Sequence, residues 1–186
     1  MKRYSEPETV GESLLWSDRK EGTPLILERL KTLFKKEDVP YRVLHHREAY
    51  TASEVARSIH TTGWRVVKVV IVRTYGQDIM AVLPACRQID LNAFTKVLGK
   101  GQIALEKEDA LRRRFPDCEA GAMPPFGGFY GLPVYCDASL SKEPVIYFQA
   151  GTHRDVIEMR YQDYIRIVQP KVCHFSMEPI RAASGF

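Results

Sequence analysis

Residues 65–73 read Arg-Val-Val-Lys-Val-Val-Ile-Val-Arg. Six β-branched side chains (Val66, Val67, Val69, Val70, Ile71, Val72) surround one lysine, and branching at Cβ favours the pleated backbone over the helix. Apolar residues fall on both alternating faces, which is the pattern of a strand covered on two sides. The chain therefore has to build a sheet around this segment. Tyr75-Gly-Gln-Asp78 reads as a hairpin turn, residues 79–83 as the return strand, and Pro84 as its end. A hairpin inside a chain that also interleaves helices implies a mixed sheet, not a purely parallel one.

The rest of the chain supplies those helices. Pro24 suits a first helical turn, and Leu25, Leu27, Leu30, Leu33 and Phe34 follow at helical spacing, with Lys35 and Lys36 at the cationic end and Pro40 as the stop. Residues 41–45 read as a short strand. Thr51 and Glu54 have capping-box spacing for a helix to about Ile59. Asp90 caps a helix that Gly99 terminates, and another runs from Lys107 to Arg114. Residues 116–131 are a Gly- and Pro-rich loop. Strands are expected at 134–136, 145–149 and 156–159, then a closing helix at 161–168. With 186 residues, 45% apolar and 27% charged, there is room for one globular domain and no case for disorder or a coiled coil. The division expected is an N-terminal extension over 1–24, with a short helix around Trp16, a domain over 25–175, and a frayed tail over 176–186.

No run can span a membrane, since the densest apolar stretch, 66–72, has seven residues with Lys68 inside it, and a span needs about 20. The N-terminus lacks a hydrophobic leader core, so a cytoplasmic location is expected. Cys86, Cys118, Cys136 and Cys173 form no CxxC pair and have no His at zinc spacing, which points to free thiols and no metal. The net charge of +4 is compatible with a polyanionic partner, but an ordinary polar surface reaches it too.

Three features carry chemistry. Lys68 sits among apolar neighbours, where an ammonium either snorkels to the surface or faces a ligand cleft. The loop from Gly121 to Gly128 has Pro124 and Pro125 locking φ, so it can present backbone N–H groups from Gly121, Ala122, Met123 or 126–128 to an oxygen, or can simply be a rigid connector. Gly151-Thr152-His153 follows a strand end, a good place to line a pocket. There is no GxSxG elbow, HExxH or Walker loop. The basic run Arg112–Arg114 on its helix reads first as a solvated face.

Taken in this order, these features resemble the YbaK family: a lysine in a Val-rich strand, the Leu83-Pro84 step, the GxxxP loop from Gly121 to Pro125, a Gly-Leu-Pro-Val segment, and an Ala-Gly-x-His turn. The resemblance covers about residues 41–170. The family includes the editing domain inserted in bacterial prolyl-tRNA synthetases and its free-standing relatives. What it implies is an α+β fold with a mixed, curled sheet flanked by helices. It implies a metal- and cofactor-independent, trans-acting aminoacyl-tRNA deacylase that removes a small amino acid from tRNA(Pro), alanine first and cysteine next, with serine and threonine behind. Lys68, Gly121 and Pro125 match its catalytic positions, and Gly151, Thr152 and His153 its substrate turn. Met123, Phe126, Gly127 and Phe129 are expected around the pocket. The partners implied are the acceptor end of a mischarged tRNA and a tRNA synthetase. Two other readings stay open: a non-catalytic tRNA- or synthetase-binding module of the same fold, and a hydrolase of another small acyl ester.

Overall fold

Helix α1 (Leu25–Lys36) turns Ile26, Leu27, Leu30 and Phe34 inward, with Glu28 in its first turn and Lys35 and Lys36 in its last, as the helix dipole favours. This is seen in a computed structural model of the chain, which describes residues 25–99 and 101–179. The extension over 1–24 and the last residues of the tail lie outside that range. After α1 come β1 (Tyr41–His45) and α2 (Ala52–Ser58). The capping box closes as its spacing suggests: Glu54 N–H donates to Thr51 Oγ1 at 3.2 Å, and Thr51 N–H to Glu54 Oε2 at 3.0 Å.

The Val-rich segment becomes β2 (Val67–Thr74) and returns as β3 (Gln77–Pro84), with Tyr75 and Gly76 both at positive φ in the turn. Then follow β4 (Gln88–Ile89), α3 (Leu91–Leu98), β5 (Ile103–Leu105) and α4 (Glu108–Arg114). The Asp90 carboxylate caps α3 by accepting from Ala93 N–H at 2.9 Å. The chain ends through β6 (Val134–Asp137), β7 (Val145–Gln149), β8 (Asp155–Arg160), α5 (Tyr161–Val168), β9 (Lys171–Cys173) and β10 (Ser176–Met177).

Three sheets result among the described residues. The largest runs β5-β2-β3-β6-β9, with β2 antiparallel to β3 and β5, and β3-β6 and β6-β9 parallel. The mixed sheet expected from the hairpin is therefore present. A second, antiparallel sheet runs β1-β8-β7, and a third pairs β10 with β4. The first two sheets meet where Tyr147 N–H donates to Arg65 O at 2.9 Å. Along β3 burial alternates: Met80 and Val82 join the core under α1, while Ile79, Ala81 and Leu83 join a second core around Phe94 and Phe175. Both faces of the hairpin are thus covered. Among the described residues no helix is long and apolar enough to cross a membrane.

One expectation needs correcting. The chain does not fray directly after Phe175, which is 1% exposed, because Ser176 and Met177 pair with Ile89 and Gln88. The buried Asp137 carboxylate accepts from Phe175 N–H and Ser176 N–H, both at 2.9 Å. Burial alone would raise its pKa, but these donors and those of Ser139 outweigh it and hold the carboxyl below its ordinary value. A buried charge this well supplied with donors ties the tail to β6.

Candidate active site

A cleft of about 160 Å³ opens at the start of β2. Val55, Val66 and Met123 give it apolar walls, and Lys68, Gln149, Tyr50 and Gly121 reach it from four different segments. Lys68 is half-buried. Its Nζ donates to the Ala85 carbonyl at 3.5 Å, and no carboxylate among the described residues forms an ion pair with it. Burial pushes its pKa below the ordinary lysine range, with Cys86 pulling the other way. An ammonium that has lost part of its hydration and gained no anion is well prepared to receive one from a ligand.

The loop beside it is held rigid by its own carbonyls and by its neighbours. Gly151 N–H donates to Ala122 O at 2.9 Å, Glu119 N–H to Gly151 O at 2.8 Å, and Ala122 N–H to Glu119 O at 2.9 Å. Tyr164 Oη donates to Pro125 O at 3.1 Å. Of the donors expected from sequence, Ala122 and Phe126 are spent inside the loop. Gly121 and Met123 line the cleft, and their N–H groups have no acceptor among the described residues. Gly121 has φ +90, a backbone setting that a Cβ would strain, although a Cβ there would find ordinary space beside His153.

His153 is 7% exposed and stands behind the cleft, not in it. Gln149 Nε2 donates to Ala49 O at 3.3 Å and to His153 Nδ1 at 3.1 Å. Since an amide nitrogen can only donate, Nδ1 accepts, and the ring proton sits on Nε2, which donates to Ala120 O at 3.1 Å. The histidine thus joins Gln149 to the loop that carries Gly121. Its own N–H donates to Glu119 Oε2 at 2.7 Å. The Tyr50 ring lies 4.8 Å from the imidazole. Glu48 accepts from the Tyr50 hydroxyl, raising its pKa, and also pairs with Arg154 at 3.2 Å.

Several expected pocket residues sit elsewhere. Phe126 is 3% exposed and does not line the cleft: its ring packs among Phe34, Phe148 and Tyr164 in the core under α1. The two prolines hold the loop so that this large ring points inward. Phe129 lies under the Arg29 guanidinium, 4.5 Å away, and likewise does not reach the cleft. Gly127 is a packing glycine, since a Cβ there would lie 2.5 Å from Leu132 O. Pro125 is buried and acts on the loop through its carbonyl. Gly151, at φ +97, and Thr152 lock the turn, with Thr152 Oγ1 donating to Asp155 Oδ2 at 2.6 Å. Lys68, Gly121 and Met123 do converge on the cleft. Tyr50 and Gln149 were missed; Gln149 carried a faint signal as a polar tip at the last position of an apolar strand.

Comparison with known proteins identifies the family. The model of a family described as the aminoacyl-tRNA editing domain matches residues 46–167. The multifunctional Ser/Thr-tRNA deacylase ProXp-y of Escherichia coli (strain K12) is 28% identical over 153 residues, covering 80% of this chain and 91% of that protein. Among solved structures, one described as a trans-editing enzyme for prolyl tRNA synthetase superposes with a TM-score of 0.71 at 18% identity, covering 82% of this chain and 98% of that one. The hypothetical protein APE2540 superposes with a TM-score of 0.73, also at 18% identity, covering 80% and 99%. These two likenesses concern the fold. With the family model spanning the cleft, the loop and the His153 turn, the chain belongs to the aminoacyl-tRNA editing domain family.

Proposed function

We propose that this protein hydrolyses, in trans, the ester that joins a small amino acid to the 3′ end of a mischarged tRNA. The observation that carries this reading is the convergence on one small cleft of Lys68 with Gly121 and Met123, whose N–H groups have no acceptor among the described residues. An aminoacyl ester is already activated, so its hydrolysis needs a placed water and donors for the oxyanion more than a protein nucleophile. Lys68 holds a terminal phosphate or the polarised carbonyl, and Gly121 and Met123 supply oxyanion donors. The neighbouring ribose hydroxyl helps to place the water. Gly151, Thr152, Pro125 and His153 keep the loop in position.

Selectivity follows from size and from one polar group. Val55, Val66 and Met123 leave room for a small side chain and exclude larger ones sterically. Both amide protons of Gln149 are engaged, which leaves its Oε1 to accept a hydroxyl. That favours serine and threonine, the specificity printed in the name of the Escherichia coli relative, ahead of alanine and cysteine. The tRNA is tRNA(Pro) by the family resemblance, and prolyl-tRNA synthetase is the partner whose errors it would clear. The test is a deacylation panel of tRNA charged with Ser, Thr, Ala, Cys and Pro. Faster loss of Ser and Thr with Pro spared is the expected result; no ester cleaved above the spontaneous rate overturns the proposal.

A further inference from the structure

An exposed indole stands two residues before Val66, a wall of the cleft, and the chemistry above does not use it. Trp64 lies in the turn before β2 and is 40% exposed. The turn is closed by Arg65 N–H donating to Thr62 O at 3.1 Å. It is fastened to the segment after β3 by Cys86 N–H to Gly63 O at 3.3 Å and Ala85 N–H to Val66 O at 2.7 Å. That same segment carries the Ala85 carbonyl touched by Lys68 Nζ. The indole and the active-site ammonium are therefore mounted on one short piece of backbone.

Arg87, two residues past Ala85, has its guanidinium 5.6 Å from the Trp64 ring centre. Two of its nitrogens are fixed: Nε donates to Ser176 Oγ and an Nη to Ser176 O, both at 2.7 Å. No carboxylate among the described residues pairs with it. A cation held by two hydrogen bonds to a strand, with no acid paired to it among the described residues and lying over a half-exposed indole, combines two surfaces that stack on nucleobases with a charge that suits phosphates. Arg73, Arg65 and Arg154, by contrast, are each neutralised by a carboxylate.

We infer that Trp64 and Arg87 form a stacking platform for an unpaired nucleobase of the tRNA acceptor end, next to the cleft that takes the terminal ester. This rests on the deacylase reading above and adds where the nucleic acid is held. Stacking tolerates any base, so the platform would position the single-stranded end without reading its sequence.

The chain has two tryptophans, Trp16 and Trp64. The full-length Trp16→Phe variant makes Trp64 the reporter. Titration with the trinucleotide cytidylyl-cytidylyl-adenosine is expected to quench its fluorescence saturably, with weaker binding as salt rises, and Arg87→Ala is expected to weaken the effect. In steady-state deacylation, Trp64→Ala is expected to raise KM for charged tRNA about tenfold with little change in kcat, and Trp64→Phe to restore most of the loss. No quenching at millimolar trinucleotide, equal quenching by inorganic phosphate, or an unchanged KM in a folded Trp64→Ala protein overturns the platform. The two readings fail separately. A wild type that cleaves no charged tRNA sinks the deacylase proposal, and the titration then judges the platform alone. Active wild type with a flat titration sinks only the platform.

Discussion

Strand β2 carries two cations five residues apart, and the sheet treats them in opposite ways. Arg73 sits where β2 is paired on both sides, by β3 and by β5 at Val72, Arg73 and Thr74. Its Nε and Nη2 grip Asp78 at 2.8 and 3.2 Å, and its Nε also lies 2.9 Å from Glu106. The Asp78 hydrogen bond raises its pKa. Lys68 sits where β5 has ended, and the neighbouring sheet meets this end of the strand at a bridge between Val66 and Tyr147. The gap left there is the cleft. Lys68 is partly desolvated, has no carboxylate partner among the described residues, and has a lowered pKa. A fully paired stretch of sheet makes its charge a structural clamp, while a stretch that has lost a neighbour leaves a cation at a cleft.

Lys68→Ala should break that comparison most severely. Under the proposed mechanism, losing this ammonium is expected to lower deacylation by a factor on the order of 10³. The thermal midpoint should hold or rise, because a half-buried, unpaired charge is removed. Single-turnover deacylation and a thermal melt measure both effects. Substantial residual activity, or a loss explained by unfolding, would assign the chemistry elsewhere. Gly121→Ala comes next. At φ +90 an alanine costs about 1–2 kcal/mol and shifts the backbone that lines the cleft. Turnover is expected to fall well beyond what a urea titration of the variant accounts for; matching losses would make the loop a plain connector.

Lys68 was legible because six β-branched neighbours force a strand and leave the lysine conspicuous. The turn glycines, the Thr51 and Asp90 caps and the five helices among the described residues were legible for a similar reason: each is written in residues adjacent in sequence. The short strands β4, β5, β9 and β10 were not, since two or three residues are too few to display an alternation, and their pairing depends on distant partners such as Asp137. Tyr50 and Gln149 meet across about 100 positions of chain, a distance that no local pattern records. Phe126 shows the reverse error. Its place in the loop motif suggested a pocket wall, but a large apolar ring gains more from the core under α1.

Gln149 offers a smaller effect that tests how the cleft chooses its substrate. Gln149→Ala removes the hydroxyl acceptor and is expected to lower activity on Ser- and Thr-charged tRNA relative to Ala-charged tRNA, by roughly 1–3 kcal/mol in discrimination. His153→Ala frees Gln149 and the Ala120 carbonyl together, so it should lower activity on every ester as well as blunt the preference. Equal losses for all substrates in Gln149→Ala would show that the amide only holds the wall in place. The pH profile of the wild type adds a related check. A lysine whose folded pKa is depressed loses its charge at lower pH than a free one, so the Lys68-dependent rate should begin to fall below the ordinary lysine pKa of about 10.4. Spontaneous ester loss also rises with pH, and the Lys68→Ala rate is the baseline to subtract.

The mildest effect is expected at the other cation. Arg73→Ala removes a half-exposed guanidinium that does not line the Lys68 cleft, so kcat and KM should stay close to wild type. The exposed ion pairs themselves contribute little, and added salt should shrink their share further. What remains is the effect on the partners: Asp78 and Glu106, with side chains only 12% and 11% exposed, would be left facing each other without their counter-ion. A lower urea midpoint is therefore expected for Arg73→Ala. Adding Asp78→Asn and Glu106→Gln should recover part of it, because two neutral amides no longer repel and can hydrogen-bond. Wild-type turnover in both variants, alongside the dead Lys68→Ala protein, keeps the clamp and the active-site cation distinct. Loss of turnover in a stably folded Arg73→Ala protein would erase that distinction, for it would mean that the paired end of β2 also takes part in the reaction.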